Sequence, residues 1–315
     1  MSELLGDGNA LASHSWETIR AGSKSFAAAA RILDPGVRES ASMLYAWCRY
    51  CDDVIDEQSL GHGRLDSGTT PAARLEHLRR MTRRAIAGEP IDDPAFAALQ
   101  TVAARHHIPE VHAFELLDGF AMDVEQRTYR TLEDTLEYCY HVAGVVGVMM
   151  AMVMGVRDRA TLDRAADLGI ALQLTNIARD VIDDAQIGRV YLPRDWLAAA
   201  GVDAGAVASP EARQRVFTVT ARLLDAAEPY YRSADSGIAC LPWRSAWGIA
   251  TARSVYHRIG ARVRARGATA WDTRVIVPGY EKALLAAGAA LTSLRLVATR
   301  TSRQPQPRTG LWTRP

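Results

Sequence analysis

The stretch YAWCRYCDDVIDEQ, from Tyr45 to Gln58, decides the fold. Its surroundings are typical of a buried helix, yet it contains three aspartates, Asp52, Asp53 and Asp56. Residues four apart stand one above the other on a helix, so Asp52 and Asp56 share a face. Like charges at this spacing destabilise a helix by about 0.2–0.5 kcal/mol per pair, and by more when they are buried. The stretch therefore predicts a helix whose carboxylates bind cations or are protonated.

A second acidic cluster lies in LQLTNIARDVIDDAQIGRVYLP, from Leu172 to Pro193. Here Asn176, Asp180 and Asp184 fall at i, i+4 and i+8 and form one stripe of oxygen ligands. Hard oxygen ligands that leave room for water suit Mg²⁺, with Mn²⁺ as an alternative, and such ions anchor a diphosphate leaving group. Either stripe alone is also compatible with a solvated acidic face. The two together predict a metal site between two helices.

The rest of the chain is strongly helical. Of its 315 residues 48% are hydrophobic, and its formal net charge of +1 argues against a nucleic-acid partner. Short breakers such as LDPG at Leu33–Gly36 separate alanine- and leucine-rich segments, and no β-branched runs alternate at strand period. We predict an all-α protein with about ten helices in one domain over residues 1–300. A disordered basic tail is expected over residues 301–315, and a mobile loop from Ser59 to Pro71.

Targeting signals are weak. The start, MSELLGDGNALASHSW, lacks the basic residues and apolar run of a signal peptide. The longest apolar run, Val142–Val156, is shorter than the roughly 20 residues of a membrane-spanning helix. We therefore expect a cytoplasmic protein. The basic tail with Trp312 adds the expectation of peripheral contact with the inner face of the membrane, although a plain disordered end explains it equally well.

Two short features admit two interpretations each. Gly144 and Gly147, one turn apart and followed by methionines, are compatible with one wall of a tunnel for a prenyl chain or with close helix packing. GSKSF at Gly22–Phe26 offers two serines and a lysine near a helix start, where free amides favour anions, or it is an ordinary cap.

The four cysteines do not form a disulfide framework at this length. The C-x-x-C of Cys48 and Cys51 would need two further ligands to bind zinc and a preceding strand to act as a redox pair. The preceding SASMLYAW favours a helix, so we predict that both are buried small hydrophobic residues.

GSKSF, LYAWCRYCDDVID and QLTNIARDVIDDAQIGRVYLP together resemble the motifs of the squalene/phytoene synthase family, and of its phytoene synthases in particular. The resemblance runs from about Ser15 to Arg295, in the family's order. It implies an isoprenoid synthase fold, a single helical domain around a central cavity. It also implies a Mg²⁺-dependent prenyltransferase of carotenoid biosynthesis. Such an enzyme joins two geranylgeranyl diphosphates head to head, through prephytoene diphosphate, to give 15-cis-phytoene.

The resemblance also assigns roles position by position. It places metal ions at Asp52, Asp56, Asn176, Asp180 and Asp184, and it makes the four aspartates and Arg49 catalytic. It assigns substrate contacts to Ser23, Ser25, Tyr45, Arg49, Tyr138, Asn176, Tyr256 and Arg274. Asp53 and Asp183 are expected to lie next to the metal ligands without binding the metal ions themselves. Arg49 precedes Asp52 by one turn, so an ion pair with Asp52 or Asp53 is expected beside its substrate role.

Several alternatives remain at this point. The first is a dehydrosqualene or squalene synthase that acts on farnesyl diphosphate. More distant ones are a class I terpene cyclase and a non-catalytic lipid-binding helical protein. No G-x-G-x-x-G follows a strand, so we expect a reaction without NADPH. Downstream carotenoid enzymes are possible partners.

Overall fold

The computed structural model describes residues 2–58, 68–299 and 307–314. Over these ranges the chain forms thirteen α-helices and no β-strand, which confirms the all-α prediction. In chain order they are α1 (Ser2–Gly22), α2 (Lys24–Ala30), α3 (Pro35–Asp56), α4 (Pro71–Ile86), α5 (Pro94–His106), α6 (Glu110–Val124), α7 (Leu132–Cys139), α8 (Val145–Val153), α9 (Arg159–Gln186), α10 (Arg194–Ala199), α11 (Arg213–Ile238), α12 (Trp243–Arg266) and α13 (Gly279–Ala298). Most of the loop expected from Ser59 lies outside the described residues, and Pro71 already begins α4.

Helix α9 is the central element. It has 28 residues and packs against α8, α11 and α12. Leu174, Ile177 and Val181 are buried on its apolar side, at 0%, 2% and 4% exposure, opposite the acidic stripe. Helix α3 packs against α1, α5 and α8, and its last turns carry the first acidic motif. The fold therefore carries both motifs on long, well-packed helices, with the predicted metal ligands partly buried.

Close packing against α9 explains the glycines near residue 145. A Cβ on Gly147 would collide with the carbonyl oxygen of Ala165, and a Cβ on Gly169 would collide with that of Ala143. Only glycine lets two helix backbones approach this closely. Of the two interpretations of Gly144 and Gly147, the structure supports helix packing. A tunnel for a prenyl chain stays a prediction.

The apolar run Val142–Val156 lies largely within a longer helical segment. A π-helical turn, Tyr140–Gly144, joins α7 to α8 without a break. The continuous segment Leu132–Val153 has 22 residues and is long and apolar enough to cross a membrane by length and composition. However, 61% of its most apolar window is buried inside the structure, as in the core helix of a folded domain.

The described part of the C-terminal tail, residues 307–314, makes side-chain contacts with α9. Arg308 donates to both carboxylate oxygens of Asp167 on α9, each at 2.8 Å. Arg314 donates to Oδ1 of Asp163, one turn earlier on α9, at 2.7 Å. The basic residues of the tail thus find acidic partners that nothing in the tail itself reveals.

Trp312 also packs against the protein. Its ring centroid lies 5.0 Å from that of Tyr140, and its backbone N–H donates to the hydroxyl of Tyr230 at 3.1 Å. The ring therefore covers the π-helical turn, and contact of Trp312 with a membrane stays a prediction.

Candidate active site

Arg49 stands beside the first acidic motif, near the C-terminal end of α3. Its Nη1 lies 3.1 Å from Oδ2 of Asp52, and its Nη2 lies 3.0 Å from Oδ1 of Asp53. The ion pairs expected for Arg49 are therefore present. Because Asp52 is a predicted metal ligand, this guanidinium lies next to the place where a metal-bound diphosphate would sit.

Arg189 connects the two motifs. It follows α9 in the segment QIGRVYLP, and its Nη2 lies 2.6 Å from Oδ1 of Asp56 at the end of α3. Burial lowers the pKa of this guanidinium, but Asp56 and Asp123 outweigh that effect, so its pKa is raised and the group stays charged. Sequence reasoning missed Arg189, since a single arginine in a loop has no spacing to mark it.

The second motif on α9 is only partly paired. Asp180 accepts hydrogen bonds from Nε of Arg179 at 2.8 Å and from Nη2 of Arg274 at 3.3 Å. Asn176 donates from its amide nitrogen to Oε1 of Gln173 at 3.2 Å. Its amide oxygen is buried and has no hydrogen-bond partner within the described part of the chain. A buried oxygen without a donor is a position that a cation would satisfy.

The carboxylates influence one another. Burial raises the pKa of Asp52 to about 7, against the charge of Arg49, and the charge of Asp56 adds to the rise. Burial likewise raises the pKa of Asp184 to about 8, and the charge of Asp180 adds to it. Both shifts include a contribution from Asp123. The two acidic motifs therefore share one electrostatic environment.

Asp123 on α6 lies between two tyrosines and was not predicted. It accepts hydrogen bonds from the hydroxyl of Tyr138 at 3.1 Å and from that of Tyr191 at 2.8 Å. The two rings stack with centroids 4.5 Å apart. Burial raises the pKa of both tyrosines well above the ordinary value, so both stay protonated. Tyr138 was predicted to contact the substrate, whereas Asp123 and Tyr191 carry no local signal in the sequence.

GSKSF forms the junction between α1 and α2. The hydroxyl of Ser23 caps α2 by accepting from the backbone N–H of Phe26 at 3.2 Å, and Ser25 is partly buried in the first turn. The ring of Phe26 lies 6.1 Å from Tyr45 and 5.5 Å from Tyr256. The capping interpretation of Ser23 is therefore correct, and the junction also gathers two predicted substrate residues.

Tyr256 links this junction to the second motif. It is buried at 7% exposure on α12, and burial raises the pKa of its hydroxyl. The positive charge of Arg179 opposes that rise and the negative charge of Asp180 adds to it, so both lie close to Tyr256. Tyr256 and Arg274, both predicted to contact the substrate, thus lie at the α9 motif.

Whether these residues fit Mg²⁺ is decided by their chemistry. In the described ranges no three His, Cys, Asp or Glu side chains converge as a ready-made metal site. The carboxylates are instead paired with four arginines: Arg49, Arg179, Arg189 and Arg274. Yet the predicted ligand atoms are all hard oxygens, one is buried without a partner among the described residues, and burial together with neighbouring carboxylates raises the pKa of Asp52 and Asp184. Such a set fits Mg²⁺ that is shared with a diphosphate.

Comparison with known proteins agrees with this geometry. The family model described as Squalene/phytoene synthase matches residues 19–281. The chain belongs to the squalene/phytoene synthase family. It is 53% identical to a 15-cis-phytoene synthase of Pantoea ananas, over 97% of this chain and 98% of the relative. It is 55% identical to a 15-cis-phytoene synthase of Paracoccus sp. (strain N81106 / MBIC 01143), over 96% and 97% of the two chains.

Solved structures of the squalene/phytoene synthase family share the fold. A dehydrosqualene synthase in complex with a ligand superposes with a TM-score of 0.82 at 27% identity, over 92% of this chain and 98% of that one. A squalene synthase from Alicyclobacillus acidocaldarius gives a TM-score of 0.72 at 26% identity, over 83% and 95% of the two chains. The predicted family and isoprenoid synthase fold are confirmed.

The cysteines take no part in the site of this family member. Cys51 is fully buried and Cys48 is partly buried, and burial raises the pKa of both thiols. Buried neutral thiols are poor nucleophiles and poor metal ligands. The prediction of a buried residue is confirmed for Cys51, whereas Cys48 is only partly buried.

Proposed function

We propose that this chain is a phytoene synthase, which joins two geranylgeranyl diphosphates head to head to give 15-cis-phytoene. The observation that carries the proposal is the pairing of two acidic motifs, at the end of α3 and on α9, in one electrostatic environment with the partnerless oxygen of Asn176. The 53–55% identity to 15-cis-phytoene synthases over nearly the whole chain favours the C40 product.

Asp52, Asp56, Asn176, Asp180 and Asp184 would hold Mg²⁺. The bound ions supply neutralising charge to the diphosphate, which makes it a better leaving group. Carboxylates bind metal in their ionised form, so Mg²⁺ would favour the ionised state of Asp52 and Asp184, whose pKa values burial raises.

The arginines that pair with the acidic motifs would also bind the diphosphate of the substrate. Arg49, Arg179, Arg189 and Arg274 now contact the same carboxylates that would ligate metal. Guanidinium groups bind phosphate oxygens well, so these four arginines would also be available to hold the diphosphate. They thereby orient the substrate and stabilise the charge that develops as its C–O bond breaks.

The tyrosines would protect the cationic intermediate. Tyr138 and Tyr191 stay protonated, and Asp123 fixes their hydroxyls. Their stacked rings offer π faces that attract a cation without reacting with it, and they exclude water that would quench it. We assign final proton loss to the released diphosphate as base, so that the reaction needs no NADPH.

The test is a product assay. Purified protein is incubated with Mg²⁺ and labelled geranylgeranyl or farnesyl diphosphate, with and without NADPH, and the hydrocarbon is sized. We expect a C40 hydrocarbon from the C20 substrate, the same with and without NADPH. A C30 product formed in preference would instead favour the dehydrosqualene synthase function of the structural neighbour. Cyclic products from one substrate molecule, or no release of diphosphate, would contradict the proposal.

A further inference from the structure

A third tyrosine adjoins the pair that Asp123 holds. Tyr129 lies in the segment between α6 and α7 and is buried at 2% exposure. Its ring centroid lies 5.3 Å from that of Tyr138 and 5.6 Å from that of Tyr191, while those two centroids are 4.5 Å apart. Each of the three rings therefore contacts the other two, at distances typical of favourable aromatic pairs. We call Tyr129, Tyr138 and Tyr191 the tyrosine triangle.

Only two of the three hydroxyls in the tyrosine triangle have a partner among the described residues. Asp123 accepts from Tyr138 through Oδ2 and from Tyr191 through Oδ1. The hydroxyl of Tyr129 is buried without a hydrogen-bond partner in the same part of the chain. Burial raises the pKa of Tyr129 and the negative charge of Asp123 adds to the rise, so the hydroxyl lies near that carboxylate. A buried hydroxyl without a partner is unfavourable, so what the fold gains from Tyr129 comes from its ring.

Backbone contacts hold the members of the tyrosine triangle in place. The carbonyl oxygen of Tyr129 accepts from the backbone N–H of Arg194 at 3.0 Å. The carbonyl oxygen of Tyr191 accepts from Oγ1 of Thr135 at 2.9 Å, and Thr135 lies on α7, the helix that carries Tyr138. The segment after α6, the helix α7 and the segment after α9 are thus tied together, so the fold sets the distances between the three rings.

The tyrosine triangle borders the acidic site. The charge of Arg189 opposes the rise that burial causes in the pKa of Tyr129, and it does the same for Tyr191. Arg189 itself binds Asp56 at 2.6 Å. A cation that forms when diphosphate leaves the acidic site is therefore close to these rings, which attract it and exclude water.

Loss of one ring would open the tyrosine triangle to water. The gap left by Tyr129 would be lined by a carboxylate and two hydroxyls, and a polar gap of this kind holds water. Water next to an allylic cation forms a C–O bond to it, releases a proton and gives an alcohol in place of the hydrocarbon. We propose that Tyr129 is a positioning residue that acts through Tyr138 and Tyr191, because its ring holds theirs against Asp123 and keeps water from the cation. The inference rests on the proposed reaction for the nature of that cation.

The experiment compares the wild type with Tyr129→Leu and Tyr129→Phe. Each purified protein is incubated with Mg²⁺ and labelled geranylgeranyl diphosphate, and the alcohols and the hydrocarbon are separated and counted. We expect Tyr129→Leu to raise the ratio of alcohol to hydrocarbon by about tenfold or more, since water reaches the cation. Its KM should stay within about twofold of the wild-type value, because the groups that bind diphosphate are unchanged.

The conservative variant separates the ring from its hydroxyl. Tyr129→Phe keeps the ring and should therefore restore the wild-type ratio of alcohol to hydrocarbon. Its melting temperature should be higher than that of the wild type by about 1–3 °C, because the buried hydroxyl without a partner is gone.

The matched control is Tyr230→Leu. Tyr230 on α11 is buried at 4% exposure, and its hydroxyl accepts from the backbone N–H of Trp312, in the C-terminal segment. The control removes a ring of equal size and similar burial, so it should lower the melting temperature while the ratio of alcohol to hydrocarbon stays at the wild-type value.

Three results would overturn the proposal. The first is an unchanged ratio in Tyr129→Leu, and the second is an equal rise in Tyr230→Leu, since the ring would then act only through general packing. The third is a raised ratio in Tyr129→Phe, because the hydroxyl itself would then act on the substrate. A wild type that releases diphosphate but forms no C40 hydrocarbon would count against the proposed reaction, and the same ratio would then be measured for the hydrocarbon that it does form.

Discussion

Helix α9 carries the same acidic spacing twice, with opposite outcomes. Asp163 and Asp167 lie four apart near its N-terminal end, and Asp180 and Asp184 lie four apart near its C-terminal end. The side chains of the first pair are 13% and 0% exposed, and that of Asp180 is 17% exposed. Spacing and burial are thus similar. The difference lies in what each pair contacts.

The first pair is neutralised from within the chain. Arg308 binds both oxygens of Asp167, Arg314 binds Asp163, and the hydroxyl of Ser233 donates to Asp167 at 2.5 Å. We call this group of five residues the tail clamp. Its two guanidinium groups neutralise its two carboxylates, as in a buried ion-pair network that holds a segment in place.

The negative charge of the second pair, Asp180 and Asp184, is only partly neutralised within the described parts of the chain. Arg179 and Arg274 both contact Asp180, while the pKa of Asp184 is raised to about 8 by burial and by Asp180. The oxygen of Asn176 beside them has no partner in the described parts of the chain. Acidic spacing on a buried helix therefore does not identify a metal site by itself. The site is the place where the fold leaves the acids incompletely neutralised.

The largest expected effect is on turnover. Asp180→Asn should lower the rate by about three orders of magnitude or more, because ionisation of the diphosphate depends on charge neutralisation at the metals. Asp163→Asn changes the same residue type at the same spacing in the tail clamp. It should keep turnover per folded molecule within a few-fold of the wild type. Steady-state assays with geranylgeranyl diphosphate test both, and equal losses would erase the distinction between the two pairs.

The next effect is on stability. Arg308→Ala leaves the fully buried Asp167 without its guanidinium, which should lower the free energy of unfolding by about 3–5 kcal/mol. Arg159→Ala is the matched control, since Arg159 approaches Asp163 only at 4.0 Å and is 71% exposed. An exposed pair of this kind contributes about 0–1 kcal/mol. Thermal melting should separate the two variants by several degrees, and similar melting temperatures would mean that the tail clamp does not stabilise the fold.

The sequence predicted the second pair but not the tail clamp, for a physical reason. The stripes of Asp52 and Asp56 and of Asn176, Asp180 and Asp184 are local patterns, because helix geometry alone places their members on one face. Asp167 and Arg308 are 141 residues apart, and only the packed fold brings them together. A basic, proline-containing end has the composition of a disordered segment, so composition gave no sign of the contacts that residues 307–314 make with α9.

The sequence did not predict roles for Arg189 and Asp123 for the same reason, since their contacts join residues that are far apart in the chain. Each is a single polar residue whose role depends on contacts with other elements: Arg189 with Asp56 on α3, and Asp123 with Tyr138 and Tyr191. Gly144 and Gly147 did form a recognisable pattern, because they lie one turn apart on a helix. That pattern was equally compatible with close helix packing and with one wall of a tunnel. Only the distance between backbones distinguished the two.

The third prediction is that substitutions in the two acidic pairs change the stability of the metal-free protein in opposite directions. In EDTA, Asp184→Asn should raise the free energy of unfolding by about 1–2 kcal/mol, since it relieves repulsion at a functional site. Asp167→Asn should lower it, because Arg308 loses its charged partner. With Mg²⁺ and a diphosphate analogue, the wild type should become more stable than Asp184→Asn, since only it binds both fully. Chemical denaturation under both conditions measures this, and a destabilised Asp184→Asn in EDTA would make Asp184 a structural partner.

The smallest effect is the pH dependence of the metal-free protein. The pKa of Asp184 rises from 3.8 to about 8 on folding, and that of Asp52 rises from 3.8 to about 7. Between these values the folded protein holds protons that the unfolded chain has lost. Its free energy of unfolding must therefore fall as the pH rises from about 4 to about 8, by at most about 1.4 kcal/mol per pH unit for each group.

Partial exposure reduces this slope, so we expect a loss of about 1 kcal/mol between roughly pH 6 and pH 8. Asp184→Asn should remove much of it, because the amide does not titrate. Mg²⁺ with a diphosphate analogue should reverse its direction, since the ions compete with protons for the same oxygens and bind best when both carboxyl groups are ionised. Denaturation curves across this range test both expectations. Parallel slopes for the wild type and Asp184→Asn would mean that the second acidic pair is as fully neutralised as the tail clamp.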